Sequence, residues 1–238
     1  VTALEIIQAF ASKVGFPRPS TALANQAEDI QQIVECLNEE GNSLRSRCAW
    51  EALNYEVTFT TVATESQGLI ADLIGAGQIL DSVANNIIWN RTMQVPVMGP
   101  ESKQQWQMRK ALNLTGPYSR YRIRGGALLF NPAPTAGHTC AFEYQSKCGC
   151  VDTTGVTFRK RLVADTDEVL LDDDTMQQGL EWRWLRKKGL SYAEEFATYE
   201  AMVEDLIQAD GTKPVLDMSD TAREPRPGIL VPEGNWNL

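Results

Sequence analysis

Histidine is nearly missing: His138 is the only one among 238 residues. Proton relays and serine or cysteine hydrolysis want an imidazole base beside the nucleophile. His138 sits between Gly137 and Thr139 after a proline-rich turn, so it reads as a loop residue. Phosphate loops are missing too. Neither G-x-x-x-x-G-K-[ST] nor G-x-G-x-x-G occurs, and Gly125-Gly126 reads as a plain turn. No apolar run approaches the roughly 20 residues that span a bilayer. The first ten residues carry Glu5 and no basic group, which is not the pattern of a signal peptide. Basic residues are in deficit, 22 against 31 acidic, for a net charge of -9. That argues against a basic reader of nucleic-acid backbones. Cysteine is too sparse, at five, for a disulfide-stapled secreted fold. Cys36, Cys48, Cys140, Cys148 and Cys150 read as reduced, mostly buried thiols of a protein made in a cytosol.

What is present supports a packed fold. Hydrophobic residues make up 43% and charged residues 22%, enough for a real core. Charge is unevenly spread. Residues 1–100 hold 5 basic and 11 acidic groups, 101–163 hold 10 and 3, and 164–238 hold 7 and 17. A basic middle between acidic flanks can fold with complementary faces or stack against copies of itself.

The period of the apolar residues predicts the fold class, α+β. A helix is expected over Ala3 to Val14, ended by Gly15 and Pro17. A second follows, capped by Thr21 or Asn25 and interrupted near Gly41-Asn42, so that 1–53 forms a helical hairpin or bundle. Residues 54–174 are expected to form a mainly antiparallel β domain with one inserted helix. Tyr55 to Thr61 alternates as a half-exposed strand, and Leu69 to Leu80 is a loop or short helical turn. Ile87 to Trp89 leads into a strand over Thr92 to Val97. Pro100 starts a helix that Gly116 and Pro117 end. Arg120 to Ile123, Ala127 to Phe130, Thr139 to Gln145, Gly149 to Val156 and Thr157 to Val163 read as strands with short links. Residues 175–211 are expected to form a helix pair packing on the N-terminal helices. Asp174 or Thr175 caps the first, and Ser191 with Glu194 forms a capping box on the second. Residues 212–238 hold Pro214, Pro225, Pro227 and Pro232 and read as an extended tail that is either disordered or lies in a partner's groove.

Few residues carry chemistry. His138, Cys140, Cys148 and Cys150 can share hairpin faces, but C-x-C is a poor zinc-chelating turn, so no metal is expected. The acidic run from Asp165 to Asp174 lacks the glycine and closing glutamate of a calcium loop and reads as a solvated loop capping the next helix. Arg120, Arg122 and Arg124 alternate along one strand face, which favours a salt-bridged interface to an acidic neighbour over phosphate contact. Trp182 and Trp184 look like helix core, while Trp106 and Trp236 can be interface anchors. Ile229, Val231, Trp236 and Leu238 complete the candidate interface residues. No pair makes an active site, and neither catalysis nor a cofactor is expected.

A series of stretches resembles a known family. They are Ile88-Trp89-Asn90-Arg91-Thr92, Gly99-Pro100-Glu101 through Trp106, Gly116 to Ile123, Gly125-Gly126 through Phe130 with Pro132 and Pro134, and Phe142 to Lys147. Ala164 to Asp167, Leu170-Leu171-Asp172, Gly179 to Trp184, Lys188-Gly189-Leu190 and Tyr199-Glu200 follow. In this order, over residues 55–217, the chain is similar to the head-to-tail adaptors of tailed bacteriophages, the tail tubular protein A type of short-tailed T7-like phages. The resemblance implies a structural virion protein with a helical part and a sheet part. It implies a ring of about twelve copies between the portal protein and a nozzle protein of the tail tubular protein B type, at the portal vertex, through which genomic DNA passes without being read. It offers no catalytic motif, and the Cys148-Gly149-Cys150 segment and the proline-rich end depart from it. Two other readings remain: a tail accessory protein that anchors fibres or another tail component without forming the ring, and a tail glycan-processing enzyme using a carboxylate pair.

Overall fold

The computed structural model describes residues 1–75, 77–113 and 118–211. The expected α+β class is observed: N-terminal helices, a central sheet region and C-terminal helices. The chain divides into two compact units. One comprises 1–55, 74–82 and 144–212; the other includes 56–73 and 83–143.

The first unit is built on four helices, α1 (Ala3–Val14), α2 (Glu28–Arg45), α5 (Asp173–Lys188) and α6 (Ala193–Ala209). Thr2 and Glu5 close a capping box on α1, and Gly15 ends it in the left-handed conformation, φ +85°. Ile6, Ile7, Phe10, Ile33, Leu37, Leu44, Leu180, Trp184 and Tyr199 meet in one apolar core. Contrary to expectation, α2 runs unbroken through Gly41-Asn42. Asn42 donates to the Asn38 carbonyl at 2.8 Å, and a Cβ on Gly41 would lie 3.6 Å from Met176 Cε. The glycine therefore sits where α5 approaches, and packing overrides its poor helix propensity.

Caps differ from the expected ones. Ala27 precedes α2 without a side-chain bond, because the Asn25 side chain instead accepts from Ala27 N at 2.9 Å. Asp172, rather than Asp174 or Thr175, caps α5: its Oδ2 accepts from Thr175 N at 2.9 Å and Thr175 Oγ1 at 2.7 Å. A cap must stand before the orphaned N–H it serves, and Asp174 and Thr175 already lie in the first turn. At α6, Tyr192 precedes the helix and no capping box forms. Its ring packs 6.4 Å from Trp182, so aromatic packing sets that junction. The positive residues Lys187 and Lys188 of the last turn of α5 suit its carbonyl end and also pair with Glu39 and Asp29 of α2.

A small sheet in this unit has the order β10 (Phe158–Arg159), β9 (Cys150–Val151), β11 (Glu168–Val169). The strand expected over Thr157 to Val163 is only two residues long. Beyond it the chain leaves the ladder to dock on α2, where Arg161 pairs with Glu35 and Leu162 N donates to Asn38 Oδ1 at 3.0 Å.

The second unit centres on a larger sheet formed by β1 (Asn54–Thr60), β2 (Ser66–Leu69), β4 (Ile87–Asn90), β5 (Val95–Met98), β6 (Arg120–Arg124), β7 (Ala127–Asn131) and β8 (Thr139–Ser146). The path is β1-β8-β4-β5-β6-β7-β2, with β3 (Leu80–Val83) beside β8. The described pairs are antiparallel except β5 with β6, which is parallel, so the sheet is mixed. Val57 and Phe59 alternate inward as expected, and Phe59 meets Phe130 and Phe142 edge-on. The single strand expected over Thr92 to Val97 is instead the second arm of a β4–β5 hairpin. Asn90 Oδ1 accepts from Met93 N at 3.0 Å, and Gln94 takes φ +55°. Besides α3 (Ile70–Ile74), this unit holds α4 (Lys103–Ala111), capped by Ser102 and Gln105 and so starting three residues after Pro100. The expected stop at Gly116-Pro117 falls outside the described residues.

Candidate interaction surfaces

The strand period places the three arginines. Tyr121 is fully buried on β6, so Arg120, Arg122 and Arg124 project from the opposite face. Direct cross-strand partners share a face. Met98 pairs with Arg120 and with Ile87, and Trp89 pairs with Pro96 and Ala141. The outer face therefore carries the arginine ladder on β6 and half-buried Trp89 on β4. Among the described residues none of the three arginines has an ion-pair or hydrogen-bond partner through its side chain. Six other arginines are matched, Arg47 with Glu200, Arg91 with Glu56, Arg109 with Glu101, Arg159 with Asp167, Arg161 with Glu35 and Arg183 with Glu40, whereas Arg45 Nε is buried without a partner among the described residues. Beside Arg120 a hollow is lined by Glu101, Arg109 and Met108; Glu101 Oε1 accepts from Arg109, while its Oε2 is buried without a hydrogen-bond partner among the described residues.

Further along this face an open hollow of about 730 Å³ is lined by Trp89, Asn85, Arg91, Glu56 and Glu143. It holds a carboxylate pair, Glu56 and Glu143, against which a glycan-processing reading can be set. Such chemistry needs one carboxyl shielded from water so that it stays protonated. Both Glu56 and Glu143 are exposed, and Glu56 pairs with Arg91.

His138 serves the loop that holds it. Its Nδ1 lies 3.2 Å from Asn90 Nδ2, and its main-chain N donates to Thr61 Oγ1 at 3.0 Å. The thiols of Cys148 and Cys150 donate to the carbonyls of Gly77 and Arg159, each at 3.2 Å. Among the described residues, no three His, Cys, Asp or Glu side chains come together as a metal would require. Burial raises the Cys140 thiol to about 11. Burial first, and then the charge of Asp167, raises Cys150 to about 12. Both stay protonated near neutrality, and the thiolate is the reactive species. With Cys36 and Cys148 also buried, only Cys48 is half-exposed. One fast-reacting thiol per chain is the expected result with Ellman's reagent at pH 8, rising to five in denaturant. Two or more fast thiols in the native protein would contradict this assignment.

Two expectations about this surface change. Trp106 is fully buried on α4 and so is no interface anchor. The acidic run is not merely solvated: Asp167 is fully buried, and the Asp165 side chain accepts from Ala22 N and Leu23 N. Ile229, Val231, Trp236 and Leu238 lie outside the described residues.

One surface was not anticipated. On α6, Glu194, Ala197, Thr198, Ala201, Glu204, Asp205 and Gln208 are all exposed, at helical spacing, on the side away from Tyr199 and Val203. Their spacing is visible in the sequence once the polar rather than the apolar period is followed. Among the described residues, Glu194, Glu204 and Asp205 have no partner through their side chains. No family model matches the sequence, and a search of curated proteins finds no relative.

Proposed function

We propose that the chain is a structural head-to-tail adaptor of a tailed bacteriophage. Copies close into a ring of about twelve between the portal and the tail nozzle, and DNA passes through without sequence recognition. The observation that carries this reading is the ordered set of family-like stretches, laid over one helical and one sheet-based compact unit. Within those stretches Ile88, Phe142, Tyr144, Leu180, Trp182 and Trp184 are buried, so the stretches supply part of the core of each unit. Net acidity supports a conduit role, because like charge keeps a sliding duplex from adhering. The role needs neither catalysis nor a cofactor, and the protein would be made in the host cytoplasm and reside in the virion.

Mass photometry with negative-stain imaging tests the reading, on the full chain alone and after mixing with the portal ring of the same phage. Rings of about twelve copies, or about twelve copies added to each portal, are expected. A chain that stays monomeric and leaves the portal unchanged overturns the reading in favour of a fibre-anchoring accessory protein or a tail enzyme.

A further inference from the structure

We infer that the arginine ladder of β6 docks on the acidic outer stripe of α6 of a second copy. This deepens the ring reading and rests on it. Among the described residues of its own chain, each surface lacks what the other supplies. Arg120, Arg122 and Arg124 project from one strand face with no carboxylate within 4.0 Å among the described residues. At about 3.3 Å per residue, they span about 13 Å. Glu194, Glu204 and Asp205 lie on one exposed stripe of a helix that carries no basic residue. At 1.5 Å per residue, they span about 16 Å. The two spans differ by only about 3 Å and each carries three charges, the acids gathered at the two ends of the stripe.

The stripe also has a suitable relief. Ala197 and Ala201 lie between the carboxylates and leave a low strip along which arginine stems can lie flat while their guanidinium groups reach the acids at either end. The sheet side contributes half-buried Met98 beside Arg120. Ladder and stripe are different surfaces, so the contact is heterologous: each copy offers its ladder to one neighbour and its stripe to the other. A contact of that kind closes into a ring when its rotation allows. Exposed ion pairs are individually weak, so their main effect is to choose partner and direction, and they should respond to salt.

Charge reversal on the full-length protein tests the assignment. One variant carries R120E, R122E and R124E; the other carries E194K, E204K and D205K. The replaced groups have no side-chain partner among the described residues of their own chain, so both variants should keep the wild-type circular dichroism spectrum and melting temperature. Each variant alone should associate on the order of a hundredfold more weakly than wild type at low salt, because three attractions become repulsions. An equimolar mixture of the two should recover assembly, because each reversed surface meets its reversed complement. Wild-type rings with unchanged assembly of both variants would overturn this contact and leave the ring reading intact. Variants that fail alone and also fail when mixed would overturn it as well. A wild-type chain that neither assembles nor joins portal rings would remove the ring reading, and this contact with it.

Discussion

Glu40→Ala is expected to lower the unfolding free energy by about 3–5 kcal/mol, the usual cost of stranding one member of a buried ion pair. Glu40 is fully buried on α2. One carboxylate oxygen accepts from Arg183 Nε of α5 at 2.6 Å, and the other from the Tyr199 hydroxyl of α6, also at 2.6 Å. One side chain thus ties three helices. Gly179 makes room for it: a Cβ there would lie 2.2 Å from Glu40 Cδ, and the two hydrogen bonds hold that carboxylate in place. Burial first, then the adjacent Glu40 charge, raises the Tyr199 hydroxyl well above its usual range, so it remains a neutral donor. Alanine leaves a guanidinium that is only 15% exposed without its counter-charge. The cost should therefore come from the orphaned cation rather than from lost attraction. Glu40→Met combined with Arg183→Met should recover most of the loss, because an apolar pair leaves nothing stranded. Urea unfolding of the three proteins decides the matter. A loss below about 1 kcal/mol for Glu40→Ala, or a double variant no better than the single one, would sink the argument.

That triad shows where reading from sequence stops. Apolar spacing together with cap and turn residues places α1, α5 and α6 within a few residues and the β6–β7 hairpin at its Gly125-Gly126 turn, because periods, caps and turns are all local information. The interruption expected at Gly41 failed for a non-local reason: Met176, far along the chain, fills the space beside that glycine. Nothing near Glu40 in sequence reveals that Arg183 and Tyr199 converge on it. Strand length was misjudged over Thr157 to Val163 because alternation persists after the ladder ends, and only Glu35 and Asn38 of α2 show where the backbone goes. The arginine ladder was legible because a strand's two faces follow from counting by two. The polar stripe of α6 is equally plain at helical spacing, but a polar stripe ordinarily signals nothing more than solvent.

Asp167→Ala should destabilise by about 3 kcal/mol, since it unpairs two main-chain donors and one cation. At the usual scaling, that lowers the melting temperature by about 10 °C. Asp167 is fully buried within the acidic run. Its Oδ2 accepts from Val163 N at 2.7 Å and Ala164 N at 2.9 Å, while Oδ1 pairs with Arg159. Its own carbonyl accepts from Ala3 N at 2.8 Å, at the start of α1. Two residues earlier, Asp165 holds Ala22 N and Leu23 N through its side chain and Leu4 N through its carbonyl. The loop therefore works as an anchor for the N-terminal helix, with Asp165 and Asp167 occupied by backbone donors. Two consequences separate this from a cation-binding loop. Asp167→Asn keeps an acceptor and the side-chain volume but loses the charge facing Arg159, so it should fall between wild type and alanine. Millimolar calcium should leave the wild-type melting temperature where it is, because the oxygens a cation would need already accept N–H bonds. Calorimetry reads both. A calcium-dependent rise of several degrees, or an alanine variant that melts with wild type, would show that these carboxylates do not act as the backbone anchors proposed for them.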